Sequence, residues 1–207
     1  LDKAFRYPDD AKEAARSATA ALHGVSPELV TLGSGSSQVI QAVVAAQVQK
    51  ARAAGKKVQL LQPVPTFGVA ESYAVALYVP VTNVPLNAET LEIDVGALKK
   101  AAADFDGVTI VYFCNPNNPT GYLYTRKEME RIRDLVKKYD LFLFSDEVYR
   151  EFIYTGSPYI SACHLEGIEN NVVLIDSVSK RYSECGIRIG ALITKNKEVR
   201  DAVMKFC

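Results

Sequence analysis

The sequence predicts an α/β fold with three layers, α/β/α, built on a mostly parallel seven-stranded sheet. Seven short runs rich in apolar and β-branched residues, near 29–32, 57–62, 75–83, 108–113, 141–145, 172–176 and 188–194, read as strands. Helical patterns fall among them at 10–22, 38–54, 94–104, 125–139 and 196–206. Strands alternating with helices favour parallel pairing, because each crossover lays a helix on one face of the sheet. A third observation gives the pattern a purpose. Clusters of Gly, Ser, Asn, Pro and acidic residues follow several strands directly, and in an open parallel sheet that edge is where ligands bind.

The chain opens with Phe5-Arg6-Tyr7-Pro8-Asp9-Asp10, an extended lead-in to the helix at 10–22, since a residue before proline avoids helical angles. After the strand at 29–32 comes Gly33-Ser34-Gly35-Ser36-Ser37-Gln38, a glycine-containing turn into a helix whose exposed backbone N–H groups form an anion site. A dinucleotide fingerprint fails here, because Gln38 stands where the third glycine belongs. Beyond the strand at 57–62, Pro65-Thr66-Phe67-Gly68 places an aromatic ring that, taken alone, fits a core as well as a site. The strand at 108–113 runs into Asn115-Pro116-Asn117-Asn118-Pro119-Thr120-Gly121. Such residues build turns for backbone reasons, and their amides can also point at a polar ligand edge.

The strand at 141–145 ends in Asp146-Glu147-Val148-Tyr149, where an acid serves either a helix start or a ligand at the sheet edge. The strand at 172–176 leads into Asp176-Ser177-Val178-Ser179-Lys180, and Arg188 follows eight positions after the lysine, before the strand at 188–194. A lysine in a partly desolvated pocket can lose its proton near neutral pH and form an imine with an aldehyde, while an arginine grips a phosphate with two parallel hydrogen bonds. One small molecule asks for both groups: pyridoxal 5'-phosphate. Ser-x-x-Lys also opens the active site of serine acylases, so Ser177 and Lys180 admit that reading too, although neither Ser-Asp-Asn nor Lys-Thr-Gly occurs in the chain.

Taken together, these motifs resemble those of the fold-type I aminotransferases of class I and II, and the resemblance implies the large, cofactor-binding domain of that fold. In its terms Lys180 is the imine-forming lysine and Asp146 the carboxylate that pairs with the pyridinium nitrogen. Asn118 and Tyr149 address the cofactor's phenolic oxygen, and Phe67 stacks on the ring. Ser36, Ser37, Ser177 and Arg188 anchor the phosphate, with Ser179 a further candidate. Arg6-Tyr7-Pro8-Asp9 is similar to a segment whose tyrosine enters the neighbouring subunit's site, so Tyr7 is expected to act in a homodimer. The reaction implied moves an amino group between an L-amino acid, of aspartate or histidinol-phosphate type, and a 2-oxo acid. The alternative is a fragment or regulator domain that captures the cofactor without turnover.

The first half resembles histidinol-phosphate aminotransferases and the second half an aspartate aminotransferase branch. Alanine is distributed to match, with 21 in residues 1–111 and three in 112–207, which leaves open a chain joined near Val111 or drift within one gene. Residues 1–207 are expected to be the large domain alone. Nothing in them matches the small C-terminal domain that in relatives carries the arginine for the substrate α-carboxylate.

Composition narrows the remaining classes. Twenty-four basic against 24 acidic residues leave no charge excess to favour nucleic acid. Apolar stretches are interrupted well short of the roughly 20 residues that cross a bilayer, and no secretory leader pattern opens the chain, so a cytoplasmic protein is expected. Cys114, Cys163, Cys185 and Cys207 lack Cys-x-x-Cys spacing and read as reduced thiols, and with only His23 and His164 beside them a structural zinc site is not expected.

Overall fold

The computed structural model describes residues 9–207. In chain order it runs α1 (Asp9–His23), β1 (Val30–Ser34), α2 (Gly35–Ala53), β2 (Val58–Val64), α3 (Val69–Ala76), β3 (Val81–Pro85), α4 (Val95–Ala103) and β4 (Val108–Cys114). It continues with α5 (Arg126–Tyr139), β5 (Phe142–Asp146), β6 (Val172–Ser177), α6 (Val178–Arg181), β7 (Ile189–Ile193) and α7 (Lys197–Val203). The seven strands form one sheet in the order β1-β7-β6-β5-β4-β2-β3. All pairings among β6, β5, β4, β2 and β3 are parallel, whereas β7 is antiparallel to both β1 and β6.

The central strand shows why the sheet is sandwiched. β4 is apolar almost throughout, and the period-two alternation of a strand sends successive side chains to opposite faces. Ile110, Tyr112 and Cys114 pack with the buried faces of α2, α3 and α7, while Val111 and Phe113 pack with α4 and α5. The helix α1 covers a smaller patch at the other end, where Ala20 meets Val30, Leu174, Ala191 and Ile193. α5 earns its position by spacing: Met129, Ile132, Leu135 and Val136 lie on one stripe facing the sheet. Its start is held by a capping box in which Thr125 and Glu128 satisfy each other's backbone N–H groups.

The expected strand at 75–83 is a correction. Residues 69–76 form α3, with Ala70 and Ala74 one turn apart and buried, and the strand follows only at β3. Between them Tyr78 takes a left-handed conformation (φ 55°), and Pro80, which has no N–H to give a ladder, precedes the paired residues. The start of α2 is also earlier than expected, at Gly35 rather than Gln38, so Ser36 and Ser37 lie within its first turn. No helix among the described residues is long and apolar enough to cross a membrane.

This topology gathers the sequence motifs at one edge. β1, β2, β4, β5 and β6 all end there, followed by the segments at 34–37, 65–68, 115–121, 146–149 and 177–180. β7 runs the other way and therefore starts there, directly after Arg188.

Candidate active site

A cavity of about 260 Å³ opens at that edge. Part of its wall is formed by Ser36 and Ser37 in the first turn of α2 and by Arg188. The fit between these parts is close. A Cβ at Gly190 would lie 2.2 Å from the Gly35 carbonyl carbon and 2.4 Å from the Ser36 nitrogen, so the helix start rests directly on β7. Gly35 itself has φ 74°, and a Cβ there would come within 2.1 Å of Arg188 Nη2. Only glycine fits both demands. Arg188 also holds a left-handed conformation (φ 59°), unusual for a residue with a side chain, and its Nη1 donates to the Cys185 carbonyl at 3.0 Å.

Lys180 and Tyr149 also line it, with Lys180 Nζ 5.9 Å from the centroid of the tyrosine ring. Neither Lys180 nor Arg188 forms an ion pair among the described residues. Asn118 and Phe67 complete the wall. The loops that carry them are tied together, since Asn117 Nδ2 donates to the Pro65 carbonyl at 3.3 Å and Asn117 Oδ1 accepts from the Thr120 N–H and hydroxyl.

Asp146 forms part of the same wall, and its environment is unusual for a carboxylate. Burial lifts its pKa to about 6, and the Val148 N–H (3.2 Å) and the Tyr112 hydroxyl (3.0 Å) only partly counter that effect. No cation among the described residues pairs with it. Its neighbour Glu147 points elsewhere and is saturated by Ser161 Oγ, the Ala162 N–H, Ser145 Oγ and the Tyr159 hydroxyl. Burial raises the Glu147 pKa despite these donors.

The cavity thus brings together Ser36, Ser37, Phe67, Asn118, Asp146, Tyr149, Ser179, Lys180 and Arg188 of the expected residues. Ser177 is not on its wall. The Ser177 hydroxyl caps α6 by accepting from the Ser179 N–H, and its single proton has two acceptors in reach, Ser179 Oγ at 2.8 Å and the Ile189 carbonyl at 3.0 Å, while Ser179 lines the cavity. Tyr7 lies outside the described residues. Cys114 and Cys185, which the sequence marks only as reduced thiols, also line the cavity, as does Val148. Burial, reinforced by the Asp146 charge, pushes the Cys114 thiol up to about 12, which keeps it protonated beside that acid. Strand alternation could have shown Tyr112 and Cys114 on one face of β4, but nothing local marks either as a neighbour of Asp146.

Residues 2–206 match the model of a protein family described as aminotransferase class I and II. The chain belongs to that family. Among curated members, it is 34% identical over 200 residues to a histidinol-phosphate aminotransferase of Chlorobaculum parvum, covering 97% of this chain and 52% of the relative. A histidinol-phosphate aminotransferase of Thermococcus gammatolerans is 32% identical over 201 residues, covering 97% of this chain and 53% of its own. Both alignments cover too much of this chain to stop at Val111, so single relatives accompany both halves. Among solved structures, a putative histidinol-phosphate aminotransferase of Erwinia carotovora atroseptica superposes with a TM-score of 0.81 at 27% identity over 100% of this chain and 57% of that one. An aspartate aminotransferase of Rhodobacter sphaeroides shares the fold, with a TM-score of 0.82 at 21% identity over 94% of this chain and 50% of its own. This family member spans about half the length of the curated relatives it matches.

Proposed function

We propose that this chain is the cofactor-binding large domain of a pyridoxal-phosphate-dependent aminotransferase, which moves an amino group between an L-amino acid of histidinol-phosphate or aspartate type and a 2-oxo acid. The observation that carries the reading is the set of unmatched charges in one cavity. Two cations without an acid partner stand with a desolvated acid that has no cation partner. Pyridoxal phosphate is complementary to all three: a phosphate for Arg188, an aldehyde for Lys180 and a basic ring nitrogen for Asp146.

When bound, pyridoxal phosphate supplies an aldehyde that condenses with primary amines and a ring that accepts the electron pair left behind by the substrate α proton. The protein's part is to hold it and to move protons. Arg188 grips the phosphate with its planar fork, and Ser36, Ser37 and Ser179 donate hydroxyls around it. Ser177 acts in this reading through Ser179, which it positions. Asp146 accepts a charge-assisted hydrogen bond from the ring nitrogen and so keeps a proton there. Asn118 and Tyr149 donate to the phenolic oxygen, and Phe67 covers one face of the ring. Lys180 Nζ, once free as an amine, carries the proton away from the substrate α carbon.

A second reading has an observation of its own. Lys180 and Arg188 are the only basic side chains on the described cavity wall, and both are assigned to the cofactor, which leaves none for the substrate carboxylate. The chain by itself would then capture the cofactor without turnover. The homodimer, with Tyr7 reaching into the partner's site, belongs to the same proposal. A visible spectrum with added pyridoxal phosphate, followed by borohydride and mass mapping, tests the central claim. An adduct at Lys180 is expected; an adduct at another lysine, or none, overturns it.

A further inference from the structure

Behind the cavity lies a buried polar chain that no step above uses. His23, at the end of α1, is almost fully buried, and its Nε2 lies 2.8 Å from Asp176 Oδ2 on β6. Its other ring nitrogen, Nδ1, lies 2.7 Å from Arg150 Nη1. A guanidinium can only donate, so Nδ1 is the acceptor and Nε2 carries the proton that goes to the carboxylate. Arg181 binds the same carboxylate with two nitrogens, Nη1 to Oδ2 at 2.9 Å and Nη2 to Oδ1 at 3.2 Å. Glu151 closes the circuit, with its Oε1 at 3.1 Å from Arg181 Nε and 3.5 Å from Arg150 Nε.

The two arginines occupy telling positions. Arg150 is the residue after Tyr149, and Arg181 is the residue after Lys180. Each side chain that faces the cavity is therefore followed by an arginine tied to the same cluster, Arg181 to Asp176 directly and Arg150 to it through His23. The helix under Lys180 is only the four residues of α6, too short to persist without outside support. The loop under Tyr149 is a turn and not a regular element. Both need an anchor, and Asp176, on the buried strand β6, provides one.

Resting on the proposed aminotransferase reading, we infer that His23, Asp176, Arg150 and Arg181 form a positioning unit that holds Lys180 and Tyr149 in mutual register, and that α1 is a working part of the site through His23. His23 touches neither of the two cavity residues. It sets their separation by locking the arginines that follow them.

The test uses His23→Leu and Arg150→Met in the full chain, with His23→Gln as the conservative variant that can still donate and accept. Stopped-flow absorbance gives the rate at which pyridoxal phosphate condenses at Lys180, and a separate titration gives the affinity for inorganic phosphate. Each single variant is expected to slow condensation about tenfold, with phosphate affinity within about twofold of the parent because the Arg188 side is untouched. The double variant should be no slower than the worse single one, as for members of one network, and His23→Gln should recover part of the rate. Thermal midpoints identify variants that are merely unfolded; if His23→Leu is one, Arg150→Met, at a less buried residue, decides alone. A folded variant with parental condensation rate overturns the inference and leaves the cluster a structural one. Failure of the parent to form an adduct at Lys180 defeats the functional reading instead, so the two failures are distinguishable.

Discussion

Asp146 and Asp176 end neighbouring parallel strands of one sheet, both almost fully buried, and their surroundings drive them in opposite directions. Burial penalises each carboxylate. At Asp176 the hydrogen bonds from His23 and Arg181 more than offset that penalty, and the pKa falls below the ordinary aspartate range. At Asp146 the two neutral donors cannot, and the pKa rises to about 6. The difference teaches how to tell a structural acid from one kept for a ligand. Asp176 has its cation built in, while Asp146 is buried without one, a deficit that in the proposed function the cofactor's ring nitrogen fills.

Removing each acid should therefore move stability in opposite senses. Asp176→Ala strands Arg181 and His23 without their partner, and chemical denaturation should show a loss of about 3–5 kcal/mol. Asp146→Asn should stabilise the cofactor-free chain at pH 7, by about 1–3 kcal/mol on the size of the shift. The sign follows from linkage. The folded chain holds the Asp146 proton more tightly than the unfolded one, so its contribution is fully present below about pH 4 and lost as pH rises through about 6. Denaturation of parent and Asn variant across pH 4–8 should show the gap closing toward the acid end. A gap that widens there would mean Asp146 is paired after all. For Asp176, whose folded pKa is depressed, the stabilisation is present above about pH 4 and fades as pH falls further.

A smaller effect separates the phosphate side from the acid. Arg188→Lys keeps the charge but loses the planar fork, and affinity for pyridoxal phosphate should drop about tenfold while affinity for pyridoxal scarcely changes. An equal loss for both would make Arg188 structural. The smallest effect distinguishes the paired serines. Ser177→Ala removes a helix cap and should cost about 1 kcal/mol of stability, whereas Ser179→Ala should weaken inorganic phosphate binding, read by calorimetry, with little change in the thermal midpoint. If Ser177→Ala proves the more damaging to phosphate binding, the cavity wall has been assigned to the wrong hydroxyl.

Much of this arrangement was legible because the informative strands are the central ones. β4, β5 and β6 are buried on both faces, so they read as unbroken apolar runs ended by polar residues, and the cavity is lined by residues at those ends or within a few positions of them, Cys114 and Asn118, Asp146 and Tyr149, Ser179 and Lys180. The peripheral segment at 75–83 misled, because its valines and leucine belong partly to a helix end and partly to a turn at Tyr78. That Ser177 caps the four-residue α6 while Ser179 lines the cavity depends on backbone angles that the sequence does not mark. The contact between His23 and Asp176 joins residues 153 positions apart, and a lone histidine at a helix end carries no mark of its partner.

The contact between Gly35 and Gly190 divides the mutational freedom of the molecule. The loops around the cavity meet one another through side chains, as where Asn117 joins the 115–121 turn to the Pro65 carbonyl. The joint under Ser36 is tighter, because β7 meets the first turn of α2 backbone to backbone at Gly190, where even a methyl group would collide, while Gly35 is restricted by its φ of 74° and by the Arg188 guanidinium beside it. A larger residue at Gly190 would have to push aside the start of a 19-residue helix, and Ser36 and Ser37 would leave the cavity wall with it.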